Sequence, residues 1–579
     1  MTVRPRALSF GALVVGSVIA VDPSGLSPFG PSKWLVISTA AAVTIAWTLR
    51  TGATRCHRRS WWLWMALAAL VTLSALVNGD AKVALLGHPD RHLGVVTWVL
   101  FFALFCAGQQ LAEQVTSLAR VAVAATACLG GYILWELALG PPVSVAVTTR
   151  RLLGPFGSAA ILGAACCLLG PVALGVAFDR SQDRRWRWTA AGSAALVAVA
   201  LVGSGTRAAW LGAIVSAVVV AVTVRPSRRD IMWCAAGLMA AVALVTPRLG
   251  DVTARRESST SRFDEWRVAT RVIGEHPVIG VGPEGYRIGF ADGVDDSYER
   301  AYRRDAVLPD RAHAAPLDVA LAGGLGAGEL YVALVGFIGV RSWKLLRTRR
   351  PVAVGIGAAV LAYGLQQLFL FPLAELDPVW WLFAGAVVSL TSTGEQVVHR
   401  RVVVPAVAAT ASAFMLVVGV LDVAADRLAR TALRARDHDV AIDAADRAVT
   451  LRPDNLRYRL VSAEAHLDRA TIADIDQAIA AARRGTSWSP KDPLAGDELA
   501  TALSGRATAT GDHDDVSRAL AQWQLLVNRD PHRASWQLQL GRAAALAGDA
   551  DLARRSWTIA ADLGEPGASS LLAALDASS

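Results

Sequence analysis

The sequence predicts an all-α polytopic membrane protein of about thirteen transmembrane helices, joined to a C-terminal α-helical repeat domain. Three observations carry that reading. Of 579 residues 54% are apolar and 18% charged, against roughly 25% charged in an ordinary soluble domain. The apolar residues form long Ala/Val/Leu/Gly/Trp runs between Leu8 and Leu421, whereas Asp422 to Ser579 is polar and Asp/Arg-rich. Basic residues are distributed unevenly between successive short connections. Together these features argue against a single soluble enzyme, a disordered chain, and a nucleic-acid binder whose net charge of +9 forms one surface.

A helix needs about 20 mostly apolar residues to cross about 30 Å of hydrocarbon. Candidate runs lie at 7–21, 33–49, 61–77, 93–109, 121–139, 158–178, 188–203, 208–224, 231–246, 314–340, 352–370, 378–392 and 402–421. The first has no small-residue cleavage site before Asp22 and Pro23, so it reads as a span and not a signal peptide. Gly203-Ser204-Gly205-Thr206-Arg207 reads as a turn between two spans. One alternate set of connections carries 21 Lys and Arg, the other 6. Because cytoplasmic loops retain positive charge, the N-terminus is expected in the cytoplasm. With thirteen spans, the membrane domain 1–421 then presents its large loop 247–313 outside the cytoplasmic membrane, as it does the tail 422–579. Trp61, Trp62, Trp64, Trp380 and Trp381 are read as interfacial belt residues, and Glu136 as either a proton or substrate site or a side chain reaching water. The six cysteines lie in or beside apolar runs without CxxC spacing, which argues against disulfides or a zinc site.

The tail resembles tetratricopeptide repeats, whose helix pairs recur every 34 residues. Leu540, Gly541, Ala553, Trp557 and Ala560 fall at repeat positions 7, 8, 20, 24 and 27, and Ala441, Ala448 and Pro453 fit the same frame. Pro453, Pro490, Pro531 and Pro566 are spaced 37, 41 and 35 apart, so the repeats are degenerate. Such a surface binds partner proteins more readily than it performs chemistry.

Polar residues at a membrane face are costly unless they line a site. Four outer segments carry them: His88-Pro-Asp90-Arg91-His92; Arg150-Arg151-Leu-Leu-Gly154-Pro155-Phe156-Gly157; Ser204-Gly205-Thr206-Arg207; and 247–313. The last holds eleven Arg and twelve Asp or Glu, so it is no simple anion funnel. Ser261 to Ile273 has the pattern of an amphipathic helix lying on the membrane surface. His276-Pro277-Val-Ile-Gly280-Val-Gly282-Pro283-Glu284-Gly285 reads as a turn able to hold a substrate close to backbone, and the segment ends at Asp310-Arg311-Ala312-His313.

These motifs, in this order over roughly 80–390, resemble the O-antigen ligase and polymerase superfamily of bacterial envelope glycosyltransferases. They are Arg151-Leu-Leu-Gly154-Pro-Phe156-Gly157, Ser204-Gly-Thr-Arg207, Arg262 with Trp266, Pro277-Val-Ile-Gly280-Val-Gly282, and Asp310-Arg311-Ala312-His313 followed by Leu317 and Gly323. The family commonly carries Asn after the His, where this chain has Ala314 and Pro316. The resemblance implies transfer of a glycan from an undecaprenyl-diphosphate carrier to an acceptor hydroxyl of a lipid, wall polymer or protein, with no metal or other cofactor and no nucleic acid. It implies His313 as catalytic base or acceptor-orienting group. Arg207 and Arg262 are expected on the diphosphate, with Arg267, Arg311 and Arg151 behind them. A planar Arg fork suits a developing diphosphate charge, and imidazole suits proton transfer from a hydroxyl.

Other readings of the same residues stand beside this one. Arg207 also suits a helix-end anchor in the headgroups, and Arg262 and Arg267 also suit surface charges paired with Asp264 and Glu265. At the level of the whole protein, the alternatives are a transporter or flippase for lipid-linked sugars, or a non-catalytic envelope-assembly scaffold recruiting proteins through its repeats. Transporters tend to carry polar groups at the midplane and internal duplication. Here the polar groups gather outside, and no duplication is evident.

Overall fold

The computed structural model describes residues 5–49, 55–78, 80–143, 150–246, 257–304, 308–392, 396–398, 403–467 and 471–578. Residues 247–256 and 305–307 of the large loop thus lie outside the described residues. The fold is all-α, apart from a two-stranded ribbon in which Arg55–His57 pairs antiparallel with Gln396–Val398. The chain is a multi-pass membrane protein. Among the described residues, seven helices are long and apolar enough to cross a membrane: Arg58–Val77, Val115–Leu139, Ala159–Phe178, Arg184–Ser204, Arg207–Val224, Leu325–Leu346 and Pro351–Phe369. Helices Pro5–Ile19, Val95–Gln109 and Asp377–Thr391 have 15 residues each, about 22 Å of rise.

Two of these short helices form the centre of the bundle. Val95–Gln109 and Asp377–Thr391 are buried along nearly their whole length. They approach so closely that a Cβ added to Gly108 would lie 2.1 Å from the Leu382 carbonyl, and one on Gly385 2.1 Å from that of Phe105. Small residues allow such contact where apolar burial alone cannot drive helix association. Aromatic rings fill the adjoining space, with Trp381 4.5 Å from Trp64 and 4.4 Å from Trp380. Trp64, Trp380 and Trp381 are each 1% exposed, so they are core residues and not the expected interfacial belt; Trp62 remains 62% exposed. Belt and core aromatics share the same apolar sequence surroundings, and only packing separates them.

The run expected as one span at 314–340 is two helices, Ala315–Gly323 and Leu325–Leu346, broken at Gly324 with φ +83°. A Cβ there would sit 2.3 Å from the Val278 carbonyl. The Pro277 to Gly282 turn closes on this break: Leu325 N donates to Pro277 O at 2.8 Å, and Val281 N to Leu321 O at 2.7 Å. Gly280 and Gly324 therefore serve protein packing, whereas Gly282 to Gly285 line a cavity of about 170 Å³.

The loop helix Glu257–Glu275 occupies the expected amphipathic segment. Its apolar face, Val268, Ala269, Val272 and Ile273, is buried against Tyr286, Phe290, Val294, Tyr298 and Leu321. The face thus packs on protein rather than on the membrane surface, because periodicity identifies a buried stripe without saying what buries it.

Helix Val403–Arg434 runs unbroken past Leu421 into the tail, whose later helices follow one another to Ala568–Ser578. The tail is docked on the 247–313 loop and on connections before it in the bundle by specific polar contacts. Arg304 is 2% exposed. Its guanidinium donates to Glu299 at 2.6 Å and to both oxygens of Asp530, at 2.6 and 3.2 Å. Glu299 also accepts from Ala534 N at 3.0 Å. Elsewhere Ser489 donates to Asp80 at 2.5 Å, Lys491 to Asn78 O at 2.6 Å, and Arg427 to Asp22 at 2.7 Å.

Removing one partner of a buried ion pair strands the other, at a cost of about 3–5 kcal/mol. Asp530→Ala is therefore expected to loosen the tail, read as faster proteolytic release of the fragment after 434 from detergent-purified protein, with the bundle core still protected. Release at the wild-type rate would show that this contact does not hold the tail.

Candidate active site

The Asp310 to Ala314 stretch enters helix Ala315–Gly323 through a clamp. Asp318 accepts from Ala312 N at 2.8 Å through one carboxylate oxygen and from Ala314 N at 3.3 Å through the other. His313, held between them, has φ +54°, a left-handed conformation uncommon for a non-glycine residue and often found where function requires it. Ala314 is buried, so the polar partner of this stretch is Asp318, one turn further on. The His313 ring packs edge-on to Phe371 at 5.3 Å, and its Nδ1 is buried without a hydrogen-bond partner among the described residues. Burial, reinforced by the Arg262 charge, lowers its pKa to about 4. The imidazole is therefore neutral near pH 7, with its affinity for a proton lowered.

Phe371 also carries Arg91, whose guanidinium stacks 4.6 Å from the ring centroid. Arg91 grips Asp310 with two donors, at 2.7 and 3.2 Å. Burial opposes ionisation of Asp310, but Arg91 holds it well below the usual carboxylate range. Arg311 points elsewhere, in a buried ion pair with Glu284, while Glu284 accepts from Leu93 N at 2.9 Å. Arg311 thus joins two outer segments, a geometry that suits a structural cation better than its expected place on the diphosphate.

Arg262 donates to the Phe369 carbonyl at 2.7 Å, two residues from the His313 and Arg91 platform, and Trp266 packs 6.2 Å from the Phe369 ring. One turn along the helix from Arg262, Glu265 has a buried Oε2 without a hydrogen-bond partner among the described residues. Burial raises its pKa to about 7, against the opposing charge of Arg262. Arg267 is 60% exposed and pairs with Asp264 at 3.1 Å, as its surface-charge reading anticipates.

Arg207 opens helix Arg207–Val224 and is exposed, where backbone N–H groups and the helix dipole favour an anion. The preceding turn is held by Arg151, which donates to Ser204 O at 2.6 Å and to the Thr206 hydroxyl at 3.1 Å. Thr206 in turn donates to Ala159 O at 2.9 Å, and Gln366 to Ala160 O at 3.3 Å. The backbone of 366–371 therefore links the Arg207 turn to the Arg262 and His313 groups. Glu136 accepts from Leu153 N and Gly154 N, each at 2.9 Å. It anchors the Arg151 loop rather than standing as an isolated carboxylate.

Sequence reasoning singled out neither Arg91, Glu265, Asp318 nor the Phe369 to Phe371 platform as site residues. Arg91 has no signal beyond its place in a polar segment, whereas Asp310 belongs to the Asp310 to His313 motif. Phe369 and Phe371 look like the end of an ordinary span.

Residues 192–332 match a family model described as O-Antigen ligase. No curated protein matches the chain. The resemblance to the O-antigen ligase superfamily holds over that segment, which contains Arg207, Arg262, Arg267, Arg311 and His313, and it supports a membrane glycosyltransferase-type function.

Glu265 gives the site a pH response of known sign. Ionisation above about pH 7 places a negative charge beside Arg262 and opposes binding of an anion there. The KM for a diphosphate-linked donor is expected to rise between pH 6.5 and 8, and Glu265→Gln to flatten that rise while keeping low-pH affinity. An unchanged profile in the variant would remove Glu265 from the site's electrostatics.

Proposed function

We propose that this chain is a metal-independent glycosyltransferase that takes a glycan from an undecaprenyl-diphosphate carrier and joins it to an acceptor hydroxyl outside the cytoplasmic membrane. The observation that carries this reading is the convergence of His313 and Arg262, both inside the segment that matches the ligase family model, on Phe371 and Phe369 beyond it. A neutral base and a cation are thereby placed on one short stretch of backbone. The 21-to-6 distribution of basic residues supports a cytoplasmic N-terminus with the loop and tail outside.

In this mechanism the acceptor oxygen attacks the anomeric carbon of the carrier-linked sugar. The bond from that carbon to the diphosphate oxygen breaks, and the hydroxyl proton passes to the His313 imidazole. The electron pair leaves with the diphosphate, whose charge Arg262 and Arg207 stabilise. Guanidinium has five N–H donors, and the Phe369 carbonyl engages one of those on Arg262. Arg151 acts by positioning the Arg207 turn, and Arg91 by fixing Asp310 next to the His313 clamp. Arg267 lies on the exposed side of the same helix and Arg311 in its buried pair, so both stand behind Arg207 and Arg262 as diphosphate ligands. The tail, read as a tetratricopeptide-like domain over 422–579, would recruit the acceptor or an envelope protein.

The test is transfer by purified protein from undecaprenyl-diphosphate glycan. His313→Ala is expected to lower kcat by about 10²–10⁴, with carrier binding retained. Arg262→Lys is expected to raise the carrier KM, because a point charge cannot reproduce bidentate phosphate contacts. Normal turnover by His313→Ala, in protein shown to be folded, would contradict the assignment.

A further inference from the structure

At the end of the bundle opposite the tail, a recess of about 880 Å³ opens between helices Arg58–Val77 and Leu325–Leu346. Its cationic end lies away from the tail, since the other end of the first helix meets Lys491 of the tail at Asn78. Its lining is His57, Arg58, Arg59, Trp62, Leu63, Leu330 and Arg341, with three guanidinium groups and no carboxylate among the described residues. Arg341 donates to Thr391 O at 3.0 Å and meets His57 Nε2 at 2.9 Å, both neutral acceptors. Since Arg can only donate, Nε2 accepts and the imidazole proton resides on Nδ1. That nitrogen is buried without an acceptor among the described residues. Burial, followed by the charges of Arg341 and Arg59, keeps His57 below its ordinary pKa, as expected in a site richer in cations than in anions.

The recess changes character along its length. The cations sit at one end, and Trp62, 62% exposed, Leu63 and Leu330 line the rest. Leu330 and Arg341 are eleven residues apart on one helix, about 16 Å of rise. A free inorganic anion would occupy only the cationic end. An amphiphile with an anionic head and an acyl chain matches both parts, and basic pockets between transmembrane helices commonly bind lipid headgroups in this way.

We propose that this recess binds one anionic phospholipid, with its phosphate on Arg59, Arg341 and Arg58 and an acyl chain along Trp62, Leu63 and Leu330. The bound lipid bridges the two helices at the end opposite the tail. It belongs to the leaflet opposite the tail, and the assignment is independent of the transfer chemistry.

The experiment uses delipidated full-length protein in detergent, with phosphatidylglycerol, phosphatidylcholine and inorganic phosphate added separately, and bound lipid counted by native mass spectrometry alongside thermal stability. Phosphatidylglycerol is expected to bind with one tight equivalent and raise Tm, with phosphatidylcholine at least tenfold weaker. Arg59→Gln should weaken phosphatidylglycerol binding roughly fivefold, and Arg59→Gln with Arg341→Gln roughly 25-fold, at about 1 kcal/mol per basic residue. Arg59 is exposed, so the single variant keeps the test valid if the double variant misfolds. Equal binding of the two lipids, or wild-type affinity in Arg59→Gln, would overturn the proposal. A Tm rise with inorganic phosphate matching that with phosphatidylglycerol would identify a free-anion site and overturn the lipid assignment.

Discussion

The arrangement of the candidate site depends on one irregular piece of backbone. Helix Pro351–Gln366 tightens into the 3-10 turn Gln367–Phe369, and Leu370 is extended, with φ −145° and ψ 153°. The break presents the Phe369 carbonyl to Arg262 and the Phe371 ring to His313 and Arg91. It is held by Asp377, which accepts from the Tyr363 hydroxyl at 2.5 Å and from Gln367 at 2.7 Å. Non-helical backbone in a membrane protein persists only where protein satisfies its polar groups, and Arg262 does so here for the Phe369 carbonyl. A regular helix through 366–371 would have internalised the carbonyl that Arg262 uses.

The tail bears on the same arrangement from outside. His92 is stacked on Trp34 at 5.0 Å and lies 3.9 Å from Asp422, which is paired in turn with Arg452. His92 directly follows Arg91, so the first tail residues help fix the loop whose guanidinium grips Asp310. The tail and the site are therefore physically connected through 88–94, although among the described residues the tail contributes no group to the His313 and Arg262 cluster.

Much of the site was legible in sequence because its residue types are chemically unusual where they occur. Arg207 at a span's end, Arg262 ahead of Trp266 and His313 after an Asp-Arg pair are polar groups at a membrane face, where each must be satisfied or functional. Pairing was not legible. Arg311 and Arg91 are both outer-loop arginines beside short polar motifs, and nothing local says that one is enclosed by Glu284 while the other stacks on Phe371. The same limit applies to the fold. Apolar runs locate Val95–Gln109 and Asp377–Thr391, but their reciprocal Gly108 and Gly385 contact joins residues 277 positions apart. The helix break at Gly324 depends on the Val278 carbonyl, which local sequence does not report.

The central claim is that the carrier diphosphate binds on Arg262 and the acceptor hydroxyl at His313, side by side on the Phe369 to Phe371 stretch. It is tested most directly by a cryo-EM structure of the full chain bound to undecaprenyl diphosphate. The account predicts phosphate oxygens within hydrogen-bond distance of Arg262, the pyrophosphate extending toward the Arg207 turn, and His313 facing the terminal phosphate with its backbone still clamped by Asp318. A diphosphate seated on the exposed Arg267 side of the loop helix, with the Phe369 to Phe371 platform unoccupied, would contradict it.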